Sequence, residues 1–276
     1  GELEKYRSTT EYQLQNRGMS LDEFKVIYLW EWGHRVLGRL IGLAFALPAL
    51  AFWALGWTTP KLRRRAGVLF LLGGLQGAVG WWMVYSGLSG RLDVAPYRLM
   101  THLSLALVIL AAIAWLWRDI GGKAKADAPD GFRPWAFALA ALTLIQIMLG
   151  ALVAGLDAGR TYTDWPLMDG AFLPAAYWQP GLGLTNLFEN VATTQFNHRI
   201  GAYLLFALAL FVLFRFYKTT AKRGLHAFAG LMLVQVFIGI WTLMAGAPVH
   251  LALVHQAIGA AMLVLAALNL RWALLR

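Results

Sequence analysis

Six histidines stand in the chain: His34, His102, His198, His226, His250 and His255. His34, His102, His198 and His255 each fall near one end of a long apolar stretch. An ionisable side chain there is costly and marks a functional site by default. A lone intramembrane imidazole is commonly a packed, hydrogen-bonded residue, but four at one depth, two of them in His-Arg pairs, argue for ligation. Zinc or copper would use such imidazoles, yet a single nearby carboxylate and no thiol fit two-metal hydrolysis poorly. Iron in haem fits better, because axial ligation needs one histidine above the ring and one below. The expected pairs are His34 with His102 and His198 with His255. Glu31 lies three residues before His34, whereas Gln195 holds the corresponding place before His198. Residues three apart share a helix face, so only the first pair has a proton-accepting group beside it. The alternative for Glu31 is an interfacial carboxylate paired with Arg35. Arg35, Arg39 and Arg199 could meet haem propionates through their guanidinium forks, or snorkel to lipid headgroups.

The elements that must carry these residues are membrane spans. Of 276 residues, 59% are hydrophobic and 14% charged, against about 45–50% and about 25% in soluble domains. Mean hydropathy is +0.57. Residues 40–60, 66–90, 99–117, 134–156, 200–214 and 224–270 contain no Asp, Glu, Lys or Arg. Crossing a bilayer takes about 20 apolar residues. The pattern predicts an all-α polytopic membrane bundle with spans near 27–57, 66–86, 99–118, 134–156, 194–216, 224–245 and 250–271. A turn is expected at Gly246-Ala247-Pro248, and a capping box at Ser20-Leu21-Asp22-Glu23 starts a helix that runs on into the first span. The absence of cysteine excludes disulfides, thiolate zinc, iron–sulfur clusters and c-type haem attachment.

Charge placement explains the net charge of +10 without nucleic acid. Lys61, Arg63, Arg64 and Arg65, then Arg118, Lys123, Lys125 and Arg133, then Arg215, Lys218, Lys222 and Arg223, and finally Arg271 and Arg276 fall on one side. The opposite loops hold only Arg91, Arg98 and Arg160. The positive-inside rule places the C-terminus in the cytoplasm and residues 1–26 outside. That depth sorts the histidines: His226 lies at the inner end of its span and His250 in an outer turn.

A weak internal repeat links Gln76-x3-Gly80-x-Trp82-x4-Gly87 to Gln235-x3-Gly239-x-Trp241-x4-Gly246, His34-Arg35 to His198-Arg199, and His102 to His255. Both copies run in the same direction, a parallel duplication. The expected organisation is an outer segment 1–26, an N-terminal half 27–118 and a cytoplasmic-side loop 119–133. A C-terminal half 134–276 follows, with a long outer loop 157–193. The span carrying Gln146-x3-Gly150 lacks a counterpart, so the first helix of a four-helix N-terminal half is expected to be missing.

Glu31-Trp32-Gly33-His34-Arg35-x2-Gly38-Arg39-Leu40-Ile41-Gly42 resembles haem A synthase of the proteobacterial and mitochondrial branch. So do Gln76-Gly77-x2-Gly80-Trp81-Trp82-Met83-Val84-x-Ser86-Gly87-Leu88, Tyr97-Arg98-Leu99-x2-His102-Leu103 and Gly155-Leu156-Asp157-Ala158-Gly159. Asn186-x-Phe188-Glu189-Asn190-x4-Gln195-Phe196-x-His198-Arg199 and His255-Gln256 complete a likeness that covers essentially the whole chain. The resemblance implies two four-helix halves, with haem O as substrate in the first and haem b as cofactor in the second. It implies oxidation of a haem methyl to a formyl group by successive hydroxylations, with His34 and His102 serving the substrate, His198 and His255 ligating haem b, and Glu31 in catalysis. One bacterial branch carries a cysteine pair in its outer loops; this sequence has none.

A di-haem b-type electron-transfer protein is the competing reading, because bis-histidine pairs serve it equally. A transporter would need an interrupted, charged midplane site, and prenyl transfer to haem would need clustered aspartates for magnesium diphosphate. Asp157, Asp164 and Asp169 lie in one outer loop without that spacing. Expected partners are haem O, an electron acceptor, the lipid bilayer and, by the resemblance, a haem O synthase or oxidase-assembly proteins. The expected location is the bacterial inner membrane, or its mitochondrial equivalent.

Overall fold

The computed structural model describes residues 1–87, 94–121 and 127–275. Arg91, Lys123, Lys125, Arg276 and Leu88 of the motifs above lie outside the described residues. Among the described residues the regular secondary structure is helical apart from one isolated bridge between Met168 and Ala171. The helices are α1 (Glu2–Arg7), α2 (Thr10–Leu14), α3 (Leu21–Ala54), α4 (Pro60–Gly87), α5 (Pro96–Ile120), α6 (Phe132–Gly155), α7 (Asn186–Glu189), α8 (Val191–Phe216), α9 (Lys222–Met244) and α10 (Val249–Ala273). Seven of them, α3 to α6 and α8 to α10, are long and apolar enough to cross a membrane, as expected. The first begins earlier than its hydropathy suggests, because the capping box forms. Ser20 Oγ accepts from the Glu23 amide, and the Glu23 carboxylate accepts from the Ser20 amide at 2.8 Å. This satisfies helix-end groups that would otherwise be orphaned. At 34 residues and about 1.5 Å per residue, α3 outruns the hydrocarbon layer, so its first turns project beyond it. Pro48 is accommodated inside the helix without ending it.

Two compact units are present, Gly1–Arg98 and Leu99–Arg276. In the first, α3 and α4 pack together. The Tyr6 ring of α1 sits 5.3 Å from Phe24 and 5.7 Å from Tyr12, and its hydroxyl donates to Glu11 while accepting from Asn16.

In the second unit α6, α8, α9 and α10 form a closed four-helix ring, α6 on α8, α8 on α9, α9 on α10 and α10 on α6. Lipid is as apolar as leucine, so helix association there depends on close packing and not on hydrophobic expulsion. The packed half shows how. Phe132, Phe216 and Phe228 interleave with Ala136, Ala209 and Ala266, all at most 2% exposed. Phe132 meets Phe216 edge-on at 5.2 Å. Short connections make successive helices antiparallel, so α8 and α10 run the same way. The turn between α9 and α10 is Gly246-Ala247-Pro248, with Gly246 and Ala247 in the left-handed region and Pro248 at the N-cap. The aromatic and alanine core occupies the half of the ring nearer residues 132, 216, 225 and 273. The other half is polar inside.

The segment between α6 and α8, expected as a long loop, folds into short 3₁₀ turns at Ala158–Arg160, Ala175–Tyr177 and Pro180–Thr185, followed by α7. Two fully or nearly fully buried asparagines hold it. Asn186 donates to the carbonyls of Gln179 and Gly183 and accepts from the Gln179 amide. Asn190 donates to Asn186 and to the Ala176 carbonyl, and caps α8 by accepting from the amides of Ala192 and Thr193. Both side chains thus pair their donors and acceptors, as burial requires.

Candidate functional site

The polar half of the ring holds two histidines from parallel helices. His198, on the third turn of α8, and His255, near the start of α10, face each other with ring centres 6.3 Å apart and planes at 76°. Two imidazoles that ligate one metal from opposite sides, each at about 2 Å through a ring nitrogen, have ring centres about 6 Å apart.

Each ring is pinned by a glutamine and a glycine one turn apart on the neighbouring helix. Gln146 Nε2 on α6 lies 3.0 Å from His198 Nδ1 and donates to the His198 carbonyl at 2.9 Å. Gly150 makes room for the ring, since a Cβ there would stand 3.0 Å from His198 Cε1. On α9, Gln235 Nε2 lies 3.3 Å from His255 Nε2. A Cβ at Gly239 would stand 2.8 Å from His255 Cε1. His255 Nδ1 is buried without a hydrogen-bond partner.

Above this pair, Gln195 and Arg199 fasten the folded loop. Gln195 Nε2 donates to the carbonyls of Ala158 at 3.0 Å and Tyr162 at 2.9 Å. The Arg199 guanidinium donates to the carbonyls of Leu167 at 2.8 Å and Tyr162 at 3.2 Å, and leaves its Nε buried without a partner. Tyr177 Oη donates to Asn197, and Trp165 Nε1 donates to Tyr203 Oη. The Asp164 carboxylate accepts from the amides of Gly170 and Asp169. Those backbone donors, with smaller help from Arg199, hold its pKa below the ordinary aspartate value.

In the first unit Glu31, His34, Arg35 and Arg39 follow one another on α3, and Arg35 donates to the Glu31 carboxylate across one helical turn. This is the ion pair that competes with a catalytic reading of Glu31, and both side chains are about half exposed. Apart from the adjoining residues and the nearby backbone of α3, no described atom comes within 4 Å of where a Cβ at Gly33, Gly38 or Gly42 would stand. His102 is carried by α5 and belongs to the second unit. His226 is exposed, with Nδ1 2.6 Å from the Lys222 carbonyl near the opposite end of the ring, and His250 is exposed in the first turn of α10.

A family model described as cytochrome oxidase assembly protein, COX15-CtaA, matches residues 1–268. The chain belongs to this cytochrome oxidase assembly family. A relative from Hyphomonas neptunium named heme A synthase is 54% identical over 261 residues, covering 94% of this chain and 74% of the relative. Heme A synthases of Bradyrhizobium diazoefficiens and Rhodopseudomonas palustris strain BisA53 are each 48% identical, over 274 and 273 residues. They cover 97% of this chain and 76% and 75% of the relatives.

The residues suit the prosthetic group that this family's chemistry implies. Among the described residues no three of His, Cys, Asp and Glu converge to hold a metal ion by themselves. Two facing imidazoles suit a metal whose remaining positions a flat macrocycle fills, and glycine at 150 and 239 leaves the helix walls bare beside the rings. Sequence reasoning named both histidines but read Gln146 and Gln235 only as repeat markers. Their signal was the shared Gln-x3-Gly spacing, which sets each amide one turn from the glycine that clears a ring. Arg98, placed among the outer basic residues and in the Tyr97-Arg98-Leu99 motif but given no site role, stacks on Trp82 at 5.1 Å, and its Nε and Nη1 are buried without hydrogen-bond partners.

Proposed function

We infer that the chain is a haem A synthase, a membrane oxidoreductase that converts the methyl group of haem O into the formyl group of haem A. The carrying observation is the facing pair His198 and His255 at 6.3 Å, in a chain that matches heme A synthases over nearly its whole length. In this reading His198 and His255 hold haem b, which supplies one-electron chemistry when bound. Arg199 keeps the folded loop closed over that site, and its idle Nε is the donor left for a propionate. Gln195, neutral and fully engaged with loop carbonyls, has no base function.

The N-terminal half, 27–118, takes haem O. His34 and His102 address its iron, and Arg35 and Arg39 its propionates. Oxidation of a methyl group releases protons as well as electrons, and Glu31 is the group placed to accept one or to orient a water. Its pairing with Arg35 holds the carboxylate in place until substrate is bound. Electrons leave to an acceptor outside the chain, and a haem O synthase is the source of substrate. The duplicated Gln-x3-Gly and His-Arg motifs support two related halves, 27–118 and 134–276, joined through 119–133 and preceded by the polar segment 1–26. Basic residues at the ends of the spans near 61–65, 118, 133, 215–223 and 271 support a C-terminus on the cytoplasmic side of the inner membrane.

The test is the haem content of membranes that make haem O but no haem A. Expression of this chain should convert part of the haem O to haem A, separated by chromatography and identified by mass. Membranes that gain bound haem b but hold haem O unconverted would make the chain a b-type electron carrier.

A further inference from the structure

Gln146 and Gln235 bring the same device to the two histidines from two different helices. Each presents its amide nitrogen to a ring nitrogen, at 3.0 Å for His198 and 3.3 Å for His255. Each leaves its own Oε1 buried with no hydrogen-bond partner. The histidine helices accommodate the amides with glycines: a Cβ at Gly201 would overlap Gln146 Oε1, and one at Gly259 would stand 3.4 Å from Gln235 Nε2. A side chain present only to fill space would be apolar here, because an idle carbonyl oxygen inside a membrane bundle is a cost. The same cost appears at both sites, each time on the carboxamide whose nitrogen touches the ring.

We propose that Gln146 and Gln235 are positioning residues that hold the ring protons of His198 and His255 on the nitrogens facing them, and thereby tune the haem those histidines carry. This rests on the haem reading above. A neutral imidazole has one proton, and a nitrogen bound to iron cannot carry it. The proton therefore sits on the other nitrogen and needs an acceptor, the partner that fixes tautomer and ring orientation in metal-bound histidines. The carboxamide oxygen is that acceptor once the amide turns about its last carbon–carbon bond, which brings Oε1 to the ring in place of Nε2 and, at Gln146, gives up the bond to the His198 carbonyl. A stronger acceptor makes the imidazole a better donor to iron and favours the ferric state. Loss of the acceptor does the reverse.

Gln146→Met and Gln235→Met keep length and apolar bulk but remove the acceptor. In the purified full chain, each should keep a low-spin bis-imidazole absorption spectrum, raise the midpoint potential and weaken haem retention by about 10- to 100-fold. Gln146→Glu, with a stronger acceptor of the same shape, should retain haem and lower the potential. His198→Ala and His255→Ala separate the two ideas. A low-spin spectrum unchanged in both alanine variants overturns the haem reading itself. A spectrum lost in both, with potential, electron paramagnetic resonance g-values and haem retention unchanged in both methionine variants, overturns the positioning role alone. So does loss of haem in Gln146→Met and Gln146→Glu alike, because the glutamate retains an acceptor.

Discussion

Glu31 and Gln195 occupy matching places before matching histidines, and their surroundings differ as their chemistry does. Gln195 is 2% exposed and spends its amide on the carbonyls of Ala158 and Tyr162; Glu31 is half exposed and pairs with its neighbour Arg35. A carboxylate in that position can take a proton, and an amide cannot. Glu31→Gln should therefore lower haem A formation by about 10²-fold on the general acid–base scale, while leaving the haem b spectrum in place. Haem A per bound haem b in membranes checks it. The glycines beside the rings make a second claim. Gly239→Ala puts a methyl 2.8 Å from His255 Cε1, so the ring must turn, and the electron paramagnetic resonance g-values of the low-spin haem should change. Gly230→Ala, on the same helix with open space at its Cβ, should leave them unchanged.

At the scale of elements, the loop between α6 and α8 stands on a few buried polar side chains. Removing the Asn190 side chain leaves the amides of Ala192 and Thr193 uncapped and takes a donor from Asn186, so Asn190→Ala should cost about 1–2 kcal/mol from the cap alone. Faster proteolysis within 157–190 than within 217–221 would report it. Asp164 gives the same loop a pH dependence. Its pKa is lowered in the folded state by the amides of Gly170 and Asp169. Its contribution is therefore complete above the ordinary aspartate value of 3.8 and is lost as pH falls below that value through the folded one. Hydrogen exchange at Asp169 and Gly170 should rise only in that acid window, and Asp164→Asn should remove the step. This loop was not legible beforehand. Its 3₁₀ turns and α7 have no apolar period, and contacts such as Asn186 to Gln179 arise only once the chain has folded back on itself. The spans were legible because lipid demands long apolar helices whatever the tertiary fold. The Ser20 start was legible from its capping box, whereas α8 began before its expected 194 because capping by Asn190 outweighed hydropathy.

At the scale of the molecule, the basic ends of the spans and the polar ends of the ring lie on opposite sides of α6, α8, α9 and α10. Near the basic end, α5 is tied to α10: Arg271 pairs with Asp119 at 2.5 Å, with side chains 14% and 9% exposed, and stacks near Trp115. Removing one member of such a pair costs about 3–5 kcal/mol when it is buried. Arg271→Ala should accordingly lower the unfolding temperature in detergent, and the double variant with Asp119→Ala should recover part of it. The facing of His198 and His255 was readable from their depth and pairing, but their glutamine partners were not. Which glutamine meets which ring depends on the order of helices around the bundle, and Gln146 and His198 are far apart in sequence. The central claim is a molecule with one haem as tool and another as substrate, and the haems bound to purified Glu31→Gln chain test it most directly. Chain isolated from cells supplied with haem O should yield both haem b and haem O, with haem A nearly absent, whereas the unaltered chain yields haem A as well. Haem b alone from both chains, with no haem O or haem A, would contradict the account.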